Sequence, residues 1–162
     1  MVIHKRRTSV VVVIGVVLLL SAACGGSSDN SSKSSGDNSG VTVTSAKRGT
    51  PVAVELGENS PTDYFLKAVP DSVPAGPVTF TVTNSATDTE HEMVVLKTDE
   101  APDSLKVTND KVSEDASVGE VSETKAGKTG TVTLDLKAGK YVLVCNVAKH
   151  YARHMYAPFT VT

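Results

Sequence analysis

The residues able to do chemistry are few, and most of them gather at the end of the chain. In YVLVCNVAKHYARHMYAPFTVT, Cys145, His150 and Met155 follow one another at intervals of five. A thiol, an imidazole and a thioether thus fall within 11 residues. A second imidazole, His91, stands far upstream, ahead of Met93 and Val95. There are only two cysteines, Cys24 and Cys145. If the domain lies outside the cell, as the leader of residues 1–23 implies, a free thiol is exposed to oxidation and Cys145 needs a reason to be there: an inert core side chain, an intermolecular disulfide, or a metal ligand. Two His and one Cys in a trigonal plane, with a weak axial Met, suit a copper ion cycling between Cu(I) and Cu(II). Zinc prefers a closed tetrahedron without a thioether.

His154 competes with His150 for the loop position. Adjacent extended residues point to opposite faces, so His154 and Met155 do not readily aim at one ion, and His150 is preferred. His154 then reads as an exposed loop residue. Asn146, directly after the thiol, reads as a tie between loops or as a plain turn former. No P-loop, dinucleotide fingerprint, H-E-x-x-H or G-x-S-x-G string occurs. Charge is near balance, with 16 Lys+Arg against 18 Asp+Glu, so nothing here argues for nucleic acid.

The chain must carry these donors on some scaffold, and its organisation falls into three parts. Residues 1–23 read as a signal peptide: Lys5, Arg6 and Arg7, an apolar run from Val10 to Leu20, then Ser21, Ala22 and Ala23. Eleven helical residues rise about 16 Å, roughly half of a bilayer's hydrocarbon core, which is too short for a stable span. LLLSAACGG resembles the lipobox of bacterial lipoproteins, which implies a lipid on Cys24. Removing Lys5, Arg6 and Arg7 leaves 13 cations against 18 carboxylates, a net of −5, so membrane attachment falls to the lipid and not to charge. Residues 24–45 then read as the lipidated Cys24 and a disordered tether; from Gly25 to about Gly40 it is Ser, Gly, Asn and Asp with one Lys and can bury no core.

Residues 46–162 read as a single β domain. Val and Thr, both β-branched, supply 36 of the 139 residues after position 23. Val52, Val54 and Leu56 share one face; Val78, Phe80 and Val82 share another; so do Val132, Leu134 and Leu136. That period of two predicts half-buried strands in an antiparallel sandwich. Ala138-Gly139 between two such runs predicts a hairpin. The stretch from Thr98 to Gly127 has eight acidic residues, three Lys and weak periodicity. It is expected to be one long acidic insertion, with a helical turn as an option.

The terminal segment resembles the copper loop of the cupredoxins, the small blue copper proteins, and NSATDTEHEMVVLKTDE and VPAGPVTFTVTN resemble two of their strands. The likeness covers most of residues 50–162 and is closest to plastocyanin-like lipoproteins of bacterial surfaces. It implies a Greek-key β-sandwich, one type 1 copper per chain held by His91, Cys145, His150 and Met155, and electron transfer to a redox partner protein rather than catalysis. The alternatives are a copper storage or delivery protein, and a metal-free adhesion module with Cys145 in its core. Many relatives carry Pro-Gly before the loop His and a small residue with Gly before the Met. Here Ala148-Lys149 and Arg153-His154 stand in those places, which adds positive charge near the metal. Strand pairing should bring the backbone N–H of Glu92 or a neighbour near the Cys145 sulfur. An electron carrier would pass electrons through an exposed His150 ring edge, with Tyr151, Tyr156, Ala157 and Pro158 as a partly apolar docking patch around it.

Overall fold

The computed structural model describes residues 48–162. The signal segment expected over 1–23, and the tether expected over 24–45 with Cys24, lie outside the described residues. In chain order the strands are β1 (Thr50–Ser60), β2 (Asp63–Val69), β3 (Ser72–Val73), β4 (Gly76–Asn84), β5 (His91–Lys97), β6 (Val107–Thr108), β7 (Lys111–Val112), β8 (Ser117–Thr124), β9 (Thr129–Leu136), β10 (Gly139–Val144) and β11 (Tyr156–Val161). One sheet runs β2-β1-β4-β9, and a second runs β3-β11-β10-β5-β8. β6 and β7 form a small separate ribbon.

The alternating residues predicted to share faces do so. Val52, Val54, Leu56, Val78, Phe80 and Val82 are buried between the sheets. The second sheet answers with Met93, Val95, Tyr141, Leu143, Phe159 and Val161. Phe80 and Phe159 meet edge to face, with ring centres 5.3 Å apart. Each such side chain contributes about 1.5–3 kcal/mol by leaving water.

The expected sandwich therefore forms, with three differences in detail. First, β1 pairs parallel to β4, and β3 parallel to β11, so the sheets are mixed. Second, β9 and β10 belong to different sheets: the Ala138-Gly139 turn carries the chain across the core and makes no hydrogen-bonded hairpin. Gly139, at φ 147°, supplies the backbone for that redirection. Third, the acidic stretch from Thr98 to Gly127 contains β8, which pairs with β5, as well as the β6–β7 ribbon. It holds no helical turn. β8 escapes a periodicity search because it is an edge strand on which only Val121 and Thr124 are buried. A Cβ on its Gly119 would collide with Leu134 of β9.

The rest of the stretch has a structural task. Leu105 and Val112 cover the outer face of the second sheet against Val94, Leu96, Val142, Val144 and Tyr151. Hence β5 and β10 are buried on both faces and read as continuous apolar runs.

Asn84, at the end of β4, ties three segments together just before His91. Its Nδ2 donates to the carbonyls of Thr89 (2.8 Å) and Thr124 (2.7 Å), and its Oδ1 accepts the Ala86 N–H (2.9 Å). The side chain is fully buried, so removal strands the groups it satisfies. Asn84→Ala is expected to lower unfolding free energy by about 3 kcal/mol in urea denaturation. A loss under about 1 kcal/mol would show that water replaces the amide.

Candidate metal centre

The donors converge at one rim of the sandwich. His91 opens β5 on the inward face, in line with Met93 and Val95. Cys145 directly follows β10, and Met155 directly precedes β11. The Cys145 N–H donates to the Met155 carbonyl at 2.9 Å, closing the base of the loop. Between them His150 leads into a single 3₁₀ turn, Tyr151–Arg153. Its own N–H bonds the Val147 carbonyl (3.0 Å), and its carbonyl accepts from Arg153 (2.9 Å) and Met155 (3.3 Å). These bonds fix the imidazole beside the thiol.

Lys149 and His154 adopt left-handed backbone, φ 72° and 68°. Neither is glycine, so each left-handed position carries a conformational cost of about 1–2 kcal/mol.

Three donor atoms face one another. His91 Nδ1 and His150 Nδ1 are 3.1 Å apart, Cys145 Sγ and His150 Nδ1 3.4 Å, and Cys145 Sγ and His91 Nδ1 3.8 Å. The centre of that triangle is about 2.0 Å from each atom, the length of a metal–imidazole bond and slightly short of a metal–thiolate bond. Met155 is fully buried at the end of the same loop. Among the described residues, His91, Cys145 and His150 are the one grouping of three such donors. The donor set and its spacing fit a small, soft-accepting metal ion such as copper.

The electrostatics fit as well. Burial pushes the Cys145 thiol up to about 12, although the N–H groups of Glu92 (3.5 Å) and Val147 point at the sulfur. Burial lowers His150 to about 4, helped by the neighbouring His91 and Arg153. Burial also lowers His91, partly offset by Glu58. Both imidazoles are therefore neutral with lone pairs to give, and a metal ion must displace the thiol proton.

Of the four residues expected to share a metal, the structure brings His91, Cys145 and His150 together and buries Met155 at the end of the same loop. It separates His154, which is exposed and lies 3.5 Å from Asp63 Oδ1. Asn146 proves to be a tie between loops. Its Oδ1 accepts the Val112 N–H (2.7 Å), while Nδ2 donates to the Val112 carbonyl (3.0 Å) and to Glu114 Oε1 (2.6 Å). Of the expected docking patch, Tyr156 and Ala157 are half-buried and Pro158 is exposed, but the His150 edge and Tyr151 are not presented. His150 is only 6% exposed, and Tyr151 turns inward, its hydroxyl donating to the Pro102 carbonyl and accepting the Leu105 N–H.

Two neighbours were missed. The Tyr64 ring packs edge-on against both imidazoles, with centres 5.7 Å from His91 and 5.0 Å from His150. Arg153 lies over that ring and donates to its hydroxyl. Glu58 Oε1 stands 3.9 Å from His91 Nε2. The alternation of β1 and β2 carries the signal for both: Glu58 follows Val52, Val54 and Leu56 on one face, and Tyr64 precedes Leu66.

The sequence matches no family model and no curated protein sequence. Solved structures do match. Reduced auracyanin of Roseiflexus castenholzii superposes with a TM-score of 0.50 at 22% identity, over 70% of this chain and 99% of its own. Rusticyanin of Thiobacillus ferrooxidans gives 0.53 at 19% identity, over 71% and 79%. The chain has the cupredoxin fold. Its cupredoxin scaffold brings β5 and the β10–β11 connection to the same rim, which is where the donors lie.

Glu92, next to His91, provides a check on the desolvation of this rim. Burial raises its carboxyl to about 7; Lys111 opposes this, and Glu123, Glu114 and Glu120 reinforce it. A raised folded pKa contributes stability that is complete below about pH 4.5 and lost as pH rises through about 7. Glu92→Gln should therefore stabilise the metal-free protein by about 3 kcal/mol at pH 8 and leave it unchanged at pH 4.5. Urea denaturation at the two pH values checks this; equal differences at both would contradict it.

Proposed function

We propose that this chain is a copper-binding electron-transfer protein with one type 1 centre, held by His91, Cys145 and His150 with Met155 as a weak fourth donor. The observation that carries the reading is the buried triangle of two imidazole nitrogens and one sulfur, 3.1–3.8 Å on a side. When bound there, copper supplies a one-electron Cu(I)/Cu(II) couple. The residues do the rest. Four protein donors fill the coordination of such a centre and leave no position for a substrate. Strands β5, β10 and β11 hold the donors in one arrangement, which keeps reorganisation small. The Glu92 N–H stabilises charge on the sulfur, and Lys149 and Arg153 add positive charge that favours Cu(I).

Storage or delivery needs donors that exchange with solvent. Here His91, Cys145 and Met155 are fully buried and His150 nearly so, which favours the electron carrier. Tyr64 stands against His150 and Arg153 lies over Tyr64, so a redox partner protein approaching this side meets the half-buried Arg153 instead of a bare imidazole edge. The LLLSAACGG string and the polar residues behind it support a lipid on Cys24 and a domain tethered to the outer face of the cytoplasmic membrane.

The full chain loaded with Cu(II) should show an intense blue or green charge-transfer band. That band should bleach and return on one-electron reduction and oxidation, and vanish in Cys145→Ser. Tight but colourless binding would point to storage or delivery, and no binding at all to a metal-free sandwich.

A further inference from the structure

We propose that Glu58 is a positioning residue for the metal centre: its carboxylate accepts the Nε2–H of His91, holds that ring with Nδ1 toward the metal, and sets a negative charge behind it. This rests on the copper reading above and deepens it.

The inward face of β1 runs Val52, Val54, Leu56, Glu58, so a carboxylate occupies the rim position where the pattern calls for an apolar side chain. β1 and β2 pair so that Glu58 lies opposite Tyr64, whose ring touches both imidazoles. The register therefore aims Glu58 at His91.

Two buried atoms in this corner lack hydrogen-bond partners, His91 Nε2 and Glu58 Oε1. They face each other at 3.9 Å. An unpaired buried polar atom costs about 1–3 kcal/mol, so leaving both unmade is expensive. The gap is too long for a hydrogen bond and about 1 Å from a good one. Glu58 can close it, because its side chain keeps 24% of its surface in water and turns about three torsions, whereas His91 is fully enclosed.

The chemistry decides the direction. A neutral imidazole carries one N–H. His91 Nδ1 faces Cys145 and His150, so a metal there requires the proton on Nε2. No backbone carbonyl accepts at that nitrogen. Metal-ligating imidazoles commonly pass their second N–H to a carboxylate, which fixes the tautomer and raises ligand basicity. A carboxylate so placed favours Cu(II) over Cu(I), against the pull of Lys149 and Arg153.

The test uses the full chain with Glu58→Gln, which keeps an acceptor and loses the charge, and Glu58→Ala, which loses both. Cu(II) and Cu(I) affinities come from chelator competition, and the potential from voltammetry. The proton on His91 Nε2 is followed by NMR of the Zn(II)-loaded protein. Glu58→Ala should weaken Cu(II) binding at least about tenfold, and speed exchange of the Nε2 proton. Glu58→Gln should retain a protected Nε2 proton, and both variants should raise the potential. A tenfold loss confined to Cu(II) corresponds to about 59 mV. Affinities within twofold, an unmoved potential and an unchanged Nε2 proton would overturn the proposal. If Glu58→Ala does not fold, Glu58→Gln decides through the potential alone. Absence of a Cys145-dependent band in the wild type defeats the copper reading, and the Zn(II) affinity and proton exchange of the variants still judge Glu58.

Discussion

Everything at this rim follows from the desolvation of three donor atoms. Cys145 Sγ, His91 Nδ1 and His150 Nδ1 are shut away from water within 3.8 Å of one another. Low polarity keeps both imidazoles neutral and the thiol protonated, so the pocket presents lone pairs and no compensating positive charge. A cation is the simplest partner that satisfies all three together. Burying such unpaired donors inside a β-sandwich is costly, and the arrangement persists because the surrounding backbone cannot relax to satisfy them; the fold provides that rigidity.

The rigidity has identifiable sources. The β5–β10 ladder, from Tyr141↔Lys97 to Val144↔Val94, sets where His91 and Cys145 meet. The β10–β11 ladder brackets the loop that carries His150 and Met155. The acidic stretch, which looked like an appendage, clamps that loop from outside: Asn146 is held by Val112 and Glu114, and the Lys149 N–H bonds the Asp110 carbonyl at 2.9 Å. Tyr64 and Arg153 close the remaining side. The left-handed residues Lys149 and His154 show how far the backbone is constrained, since neither is glycine.

Much of this was legible from residue types. The alternation in β1, β4 and β9 marks inward faces, and donor spacing at 145, 150 and 155 marks the loop. What escaped did so for physical reasons. A turn signal such as Ala138-Gly139 says that the chain bends, and not whether it pairs with itself or crosses to another sheet. β8 has a one-sided, largely polar sequence, because it forms a sheet edge. The burial of His150 depends on Tyr64, 86 residues away in sequence, and only the β1–β2 register reveals it. Glu58 was hidden because a carboxylate at a strand end reads as solvent-facing until the alternation is extended one step.

X-ray absorption at the copper edge of the loaded protein reads the donor set directly. One short copper–sulfur contact and two copper–nitrogen contacts near 2.0 Å per ion are expected from the triangle formed by Cys145, His91 and His150. A first shell made only of nitrogen and oxygen, or of two sulfurs at thiolate distance, would contradict it.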